Sequence, residues 1–340
     1  MTDFYALTAA EQSPLLLSMA QAALPHWGIK DARLTLIKYR ENAVYDVIDQ
    51  QGQRYALRIH RSGYHSDLAL NSELKWLIAL HASGLSVTRV VPTKNGDLMV
   101  LGRIEGVPEA RQIDLFAWVD GQQLGSIEAG LGNNQNNTQS IYDVVGQKAA
   151  CLHNQAVAWT LPVPFERHAW DADGLVGDEP LWGRFWELGL LTEAQKNLIS
   201  DARIIVRDAL QALPMTAPDF GLIHADLVPE NLLVEGGEVH LIDFDDCGFG
   251  WHMFELATAL YFLRDDASYE LAKDSLIAGY QKQRALSEQQ LGQLELFLTA
   301  RGFTYLGWII SRQETQTAKE FAPELIRLAC QQARRFLMMN

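Results

Sequence analysis

Residues 224–246 read HADLVPENLLVEGGEVHLIDFDD, seven acidic side chains, two histidines and an asparagine around a Gly236-Gly237 pair. Leu232, Leu233 and Val234 precede the glycines, and Val239, Leu241 and Ile242 follow them. A two-residue Gly-Gly loop between apolar runs predicts a tight hairpin. Pairing about that centre sets Asn231 opposite Ile242 and beside Asp243, so two oxygen-bearing side chains meet at the hairpin's open end. An amide oxygen and a carboxylate are hard ligands suited to Mg²⁺, which takes one or two protein carboxylates and completes its shell with water and substrate phosphates.

GLIHADLVPEN leads into that open end and carries Asp226 to within a short loop of the expected metal. A carboxylate there can accept the proton of an attacking hydroxyl. His224, two residues earlier, is expected to hold the loop. Together these residues spell H-x-D-x-x-x-x-N followed by I-D-F, the pattern of a kinase-type phosphoryl-transfer site.

The segment resembles the catalytic loop and metal-binding strand of the aminoglycoside phosphotransferase and choline kinase family, relatives of protein kinases. The resemblance implies Asp226 as the base that positions the acceptor hydroxyl, and Asn231 and Asp243 as holders of Mg²⁺. Asp245 and Asp246 stand where a protein kinase has the glycine of Asp-Phe-Gly, a departure that points to small-molecule kinases. CGFGWHMFELATAL resembles the Gly-x-x-x-x-x-Asp-Leu-Ala segment whose acid braces the catalytic loop; here the acid is Glu255. VVGQKAACLHNQ, 144–155, resembles the long helix that ends in Leu-His before the catalytic loop, with His153 packed.

A second group of motifs lies near the N-terminus. In YALRIH, Ala56 and Arg58 share one face of a strand. Kinases use this spacing for a small residue over the adenine and a lysine for the phosphates, and this chain has arginine at the lysine position. Arg58 can pair a carboxylate bidentately, and Glu73 on the following helix is the expected partner. RENAVYDV, 40–47, occupies the nucleotide-loop position without any glycine. There the resemblance implies Val44 over the base and Asn42 with backbone amides over the phosphates. LFAWVDG is then the hinge, with Ala117 and Val119 at the adenine edge. The resemblance covers roughly residues 35–265 and implies ATP or GTP as the cofactor with Mg²⁺.

The wider pattern agrees with an α+β, protein-kinase-like, two-lobed fold. LTLIKY, AVYDVID and RYALRIH read as strands, and Leu70, Leu74, Leu77 and Ile78 mark a helix that Gly84 stops. VTRVVPTKNGDLMVLGRI reads as another hairpin turning at Asn95-Gly96, and 113–125 as a short apolar strand. GNNQNNTQS, 132–140, is a polar tract read as a mobile loop, and helical patterning dominates from Ile141. The expected organisation is a small β-rich nucleotide-binding lobe over 1–112 with an extra N-terminal helix, a hinge over 113–121 and a larger helical lobe over 122–340.

The chain of 340 residues can bury a substantial core, and its 48% hydrophobic and 21% charged composition is globular. A formal net charge of −14 argues against nucleic acid or an anionic membrane as partner and suits a cationic substrate. Three scattered cysteines suggest no disulfide framework, and a cytoplasmic location is expected. The partner is then a small-molecule hydroxyl acceptor. The tryptophan- and acid-rich stretch 168–187 supplies Asp171, Asp173 and Trp182, with Asp245, as expected acceptor-binding residues, on the idea that aromatic walls and carboxylates cage an ammonium group.

The leading expectation is an ATP-dependent phosphotransferase acting on an amino alcohol, hydroxy amino acid or aminoglycoside. A stress-response type Ser/Thr protein kinase of similar fold stays open. So does a metal-dependent hydrolase using His224, Asp226, His240, Asp243 and Asp245, although His240 and Asp243 fall on opposite faces of the hairpin strand. A nucleotide-binding regulatory protein without turnover is the third alternative, motivated by Arg58 and the glycine-free loop.

Overall fold

Strict alternation builds the first sheet. In β2 (Ala43–Ile48) and β3 (Arg54–Ile59), the side chains of Ala43, Tyr45, Val47, Leu57 and Ile59 are each at most 2% exposed. Their neighbours in sequence point to the other face. The structure, a computed structural model, describes residues 4–40, 42–126, 131, 137–313 and 315–339. The chain divides into two compact units, Met1–Asp120 with Leu161–Glu166, and Gly121–Thr160 with Arg167–Asn340.

The first unit runs α1 (Ala9–Ala23), β1 (Arg33–Tyr39), β2, β3, α2 (Asp67–Ala82), β4 (Met99–Gly102) and β5 (Arg111–Ala117). Thr8 starts α1 with a capping box closed by Glu11, which satisfies two otherwise orphaned backbone donors. The sheet is antiparallel, in the order β1-β2-β3-β5-β4. Leu16, Met19 and Ala20 of α1 join the apolar face in one core with Ile113 and Leu115 of β5. The opposite face carries Val44, Ala56, Arg58, Asp114 and Phe116, because Val44 pairs with Arg58, Arg58 with Asp114 and Ala56 with Phe116. Leu161–Glu166 returns to this unit from far along the chain: the Glu166 N–H donates to Ser72 Oγ at 2.9 Å, and Ser66 Oγ donates to Glu166 Oε1 at 2.6 Å.

Several boundaries differ from expectation. The Asn95-Gly96 turn forms, with the Thr93 N–H on the Asp97 carbonyl at 2.8 Å, but it joins no hairpin. Residues before it lie along β5 instead, through Val91 N–H to Leu115 O at 2.8 Å and Ala117 N–H to Arg89 O at 2.9 Å. Pro92 cannot donate a ladder bond, so a strand running into that turn is interrupted there. Of the expected hinge, 113–117 is strand, and only the residues after Ala117 are a connector. Residues 132–136 of the expected polar loop lie outside the described residues, while Thr138–Ser140 already belong to a helix.

The second unit begins with β6 (Gln122–Gln123), α3 (Thr138–Ala158), β7 (Ala169–Trp170), α4 (Ala172–Val176), α5 (Glu193–Gln211) and β8 (Phe220–Ile223). It continues through β9 (Leu232–Glu235), β10 (Glu238–Leu241), β11 (Gly248–Trp251), α6 (His252–Leu260) and α7 (Tyr269–Gln281). It closes with α8 (Glu288–Leu291), α9 (Leu294–Ile310) and α10 (Gln316–Met339). Two small sheets, β10-β9-β6 and β7-β11-β8, carry the loops between them. Helices α3 and α7 approach backbone to backbone at glycines: a Cβ on Gly146 would sit 2.0 Å from the Leu276 carbonyl oxygen. Helix α9 is apolar on every side and is packed by α4, α5, α6 and α10. No helix among the described residues is long and apolar enough to cross a membrane.

Behind the small sheets, the buried rings of His153 (α3) and His252 (α6) stack with centroids 4.2 Å apart and planes 17° from parallel. His153 Nδ1 meets Tyr280 Oη at 2.8 Å, and His252 Nδ1 meets the Pro218 carbonyl at 3.2 Å. Burial holds both imidazoles far below their usual range, His252 to about 2. In the unfolded chain each protonates near pH 6.5, so the stability they contribute is present above that pH and is lost as pH falls below it. Replacing His252 with Phe should flatten the acid side of the stability curve by up to about 1.4 kcal/mol per pH unit. Urea unfolding at about pH 7.5 and about pH 5 reads this slope; an unchanged slope would show that His252 protonates equally in both states.

Candidate active site

The hairpin forms in the register its glycines dictate. Gly236 and Gly237 take φ of 58° and 90°, and Leu241 faces Leu232 across β9 and β10. One step further, the Ile242 N–H donates to the Asn231 carbonyl at 3.0 Å. Asn231 and Asp243 therefore share the open end. Asp243 is exposed and adopts φ of 62°, left-handed backbone that costs a non-glycine residue about 1–3 kcal/mol.

The loop leading to Asp226 is fixed from behind. Glu255, fully buried on α6, accepts the His224 N–H at 2.8 Å on Oε1 and the Ala225 N–H at 2.7 Å on Oε2. Ala225 between them is held at φ of 64°. Burial pushes the Glu255 carboxyl up, and the neighbouring His224 and the two N–H bonds offset that only in part. His224 ties the other side: Nε2 lies 2.9 Å from the Ile242 carbonyl, and Nδ1 accepts the Asp226 N–H at 3.2 Å. Those partners require a neutral ring with its proton on Nε2. Burial keeps the imidazole below its ordinary range, which suits a neutral ring.

The Asp226 carboxylate is gripped at both oxygens. Oδ2 accepts from Asn231 Nδ2 at 2.7 Å, and Oδ1 accepts from Arg301 Nη2 at 2.7 Å. Arg301 comes from the middle of α9, is 0% exposed, and also donates to Tyr305 Oη at 2.8 Å. Its guanidinium carbon lies 4.4 Å from the Tyr305 ring centroid, 5.3 Å from that of Trp182 and 5.6 Å from that of Phe254. Because Asn231 gives its NH₂ to Asp226, its amide oxygen remains as the donor atom for a cation. With the Asp243 carboxylate it makes a pair of hard oxygen donors that fits Mg²⁺.

In the first unit, Arg58 is enclosed by acids. It meets Asp114 bidentately, Nε to Oδ1 at 3.1 Å and Nη2 to Oδ2 at 2.7 Å, and Nη2 also reaches Glu73 Oε1 at 2.8 Å. His60 Nε2 adds a contact to Asp114 Oδ2 at 2.9 Å. Burial pushes the Asp114 carboxyl up, but Arg58 and His60 outweigh it and hold it below the usual range. Val44 and Ala56 sit on the same sheet face as Arg58. Asn42 uses its side-chain oxygen to accept the Arg61 N–H at 3.0 Å. Ala117 gives its N–H to Arg89 O, and Val119 lies in the connector after β5, half-buried.

The expected ammonium cage does not assemble. Asp171 caps α4 by accepting the Gly174 N–H at 2.8 Å, and Asp173 is a mostly exposed acid 3.9 Å from Arg207. Trp182 is buried against Trp170, and the guanidinium carbons of Arg301 and Arg312 stand 5.3 and 5.6 Å from its ring centroid. The chain's own cations thus line the ring meant for the substrate. Asp245 is buried at 7% exposure, and its carbonyl accepts from Arg167. Glu230, in the short turn before Asn231, is only 8% exposed. The hydrolase constellation is not built either: both ring nitrogens of His224 are taken by backbone groups.

Sequence reasoning missed Arg301 and Asp114. A signal for Arg301 was present, since it is the single charged residue between Leu296 and Ile310. A lone arginine in an apolar run asks for a buried partner.

The phosphotransferase enzyme family model matches residues 35–289. A solved structure of a microcompartment-associated aminopropanol kinase superposes with a TM-score of 0.83 at 30% identity, covering 95% of this chain and 98% of that one. The amicoumacin kinase of Bacillus subtilis (strain 168) is 25% identical over 248 residues, 72% of this chain and 66% of that protein. The homoserine kinase of Chelativorans sp. (strain BNC1) is 29% identical over 244 residues, 68% of this chain and 66% of that protein. The match therefore spans just under two thirds of the length of these two curated relatives.

The Glu255 brace makes a direct prediction. Glu255→Gln replaces one of two acceptor oxygens by a donor, leaving one of the two loop N–H groups facing an NH₂. Unfolding free energy should drop by about 1–3 kcal/mol, measured by chemical denaturation. Wild-type stability in the variant would show that the two N–H groups find other acceptors.

Proposed function

The chain belongs to the phosphotransferase enzyme family; from that premise we propose that it is a phosphotransferase with an alcohol group as acceptor, transferring the γ-phosphoryl group of ATP to a hydroxyl of an amino alcohol, hydroxy amino acid or aminoglycoside, with Asp226 as the base. One observation carries the reading: a carboxylate held at both oxygens, by Arg301 and Asn231, beside the hairpin end where Asn231 and Asp243 stand together. The acceptor class is supported by relatives whose names specify aminopropanol, homoserine and amicoumacin, and by the net charge of −14.

The acceptor hydroxyl donates its hydrogen bond to the Asp226 carboxylate, which aims the oxygen lone pair at the γ-phosphorus. As the acceptor O–P bond forms, the bond from the γ-phosphorus to the β,γ-bridging oxygen breaks and ADP leaves. The hydroxyl proton passes to Asp226 and from there to water. Positioning and charge stabilisation supply most of the acceleration in such transfers. Bound at Asn231 and Asp243, Mg²⁺ supplies neutralisation of the phosphate charge. In the first unit, Val44 and Ala56 offer an apolar surface to the base. Arg58, fixed by Asp114 and Glu73, holds a phosphate-side positive charge, and Asn42 secures the nearby turn through Arg61.

The test is a coupled nucleotide-turnover screen over hydroxyl-bearing amines, amino acids and antibiotics, with Asp226→Asn as the blank. At least one acceptor should drive turnover, its phosphate ester should appear by mass spectrometry, and Asp226→Asn should cut the rate by about 10²–10⁴-fold. Full transfer by Asp226→Asn on the best acceptor would overturn the mechanism. Arg58→Ala should separately weaken nucleotide binding by calorimetry; unchanged affinity would remove Arg58 from the phosphate side.

A further inference from the structure

Arg301 is an expensive residue for its surroundings. A guanidinium carries five N–H donors, and this one is 0% exposed. Nη2 alone is engaged, by Asp226 and Tyr305, while Nε and Nη1 are buried without a hydrogen-bond partner. The rest of its environment is aromatic: Tyr305, Trp182 and Phe254. An apolar side chain of similar length would fill that space at lower cost, because a buried ion pair is seldom better for stability than good hydrophobic packing. Its carboxylate partner, moreover, is 24% exposed and could be solvated without it. Stability therefore does not explain Arg301.

Geometry does. A carboxylate with one fixed oxygen can still swing about its side-chain torsions, whereas one fixed at both oxygens cannot. Asn231 holds Oδ2 from the hairpin side and Arg301 holds Oδ1 from α9. Asn231 also brings its amide oxygen to the hairpin end beside Asp243. One rigid line of contacts thus runs from the core of α9 through Asp226 to the residue pair at the hairpin end. Catalysis of phosphoryl transfer rests on such positioning, and a misplacement of about 1 Å can cost on the order of 10²-fold in rate.

We propose that Arg301 is a positioning residue of the transfer reaction, clamping Oδ1 of Asp226 so that the carboxylate presents a fixed lone pair to the acceptor hydroxyl. Itself fully buried and bonded to Asp226 and Tyr305, it acts on the reaction through Asp226. The proposal rests on the assignment of Asp226 as base.

The experiment is a double-mutant cycle on the full-length chain with the best acceptor of the turnover screen. Arg301→Met, which keeps the length and fits an aromatic sleeve, should lower kcat by about 10- to 100-fold. The acceptor KM and the nucleotide affinity should stay within about twofold, and the melting temperature should be kept or raised. In the Asp226→Asn background the same substitution should cost nothing further, because two residues acting as a unit are non-additive. Arg301→Lys, which keeps the charge but gives a single point donor, should retain more kcat than Arg301→Met and serves as the reporter if the methionine variant does not fold. An unchanged kcat in Arg301→Met, or a loss that repeats in full on top of Asp226→Asn, would overturn the clamp while leaving Asp226 as base. Full turnover by Asp226→Asn alone would overturn the base assignment, and the clamp with it.

Discussion

The two oxygens of one buried carboxylate set the geometry on which the second unit's chemistry depends. Glu255 takes the N–H groups of two consecutive residues, His224 and Ala225, and so turns the chain where it leaves β8. Ala225 has to adopt φ of 64° for both bonds to form, a conformation that costs alanine about 1–3 kcal/mol. That strain persists only because the neighbours over-determine it. The Asp226 N–H is held by His224 Nδ1, whose other nitrogen reaches across to the Ile242 carbonyl. Asp226 thus leaves the loop in a direction fixed from α6, and its register against Asn231 and Asp243 is set from the hairpin.

Charge placement follows the same logic of mutual restraint. The Arg301 side chain in α9 lies beside Asp226, and its positive charge also acts on Glu255. A cation withdrawn from water beside Asp226, which Asn231 also holds, and near Glu255, which is tied to two backbone N–H groups, gives a polar network with little freedom. The histidine stack of His153 and His252 closes the back of the same region in neutral form. Together these contacts spread the restraint of the Asp226 loop over α3, α6 and α9.

How legible this was in the sequence depended on the length of the contact. The hairpin could be read because its information is local: Gly-Gly supplies the turn, the period of two supplies the faces, and Asn231 and Asp243 follow from counting. The pairing of Arg58 with Glu73 could be expected from the family resemblance, which places an acid on the following helix opposite the strand cation. Asp114 could not, since it lies 56 residues from Arg58 and their adjacency depends on which strand pairs with β3. Arg301 is 75 residues from Asp226 on a helix buried on all sides, where periodicity names no face. Glu230 is an acid of a type usually solvated, yet the short turn Pro229–Asn231 buries it. The acid- and tryptophan-rich stretch misled because its composition fits a cage, whereas Asp171 was needed as a helix cap and Trp182 as core.

The arginine at the position where kinases have lysine can now be weighed against its surroundings. Two carboxylates, Glu73 and Asp114, are each fully buried next to residue 58. A lysine ammonium is a compact point charge that would leave part of that acid pair without a well-directed donor. The guanidinium fork lies along Asp114 with two parallel bonds and extends a third to Glu73, so one cation meets three carboxylate oxygens. The substitution and Asp114 are therefore two halves of one arrangement in β3 and β5: a second acid on the neighbouring strand calls for a branched, planar cation. Arg58 is thereby fixed by both acids on the sheet face that carries Val44 and Ala56.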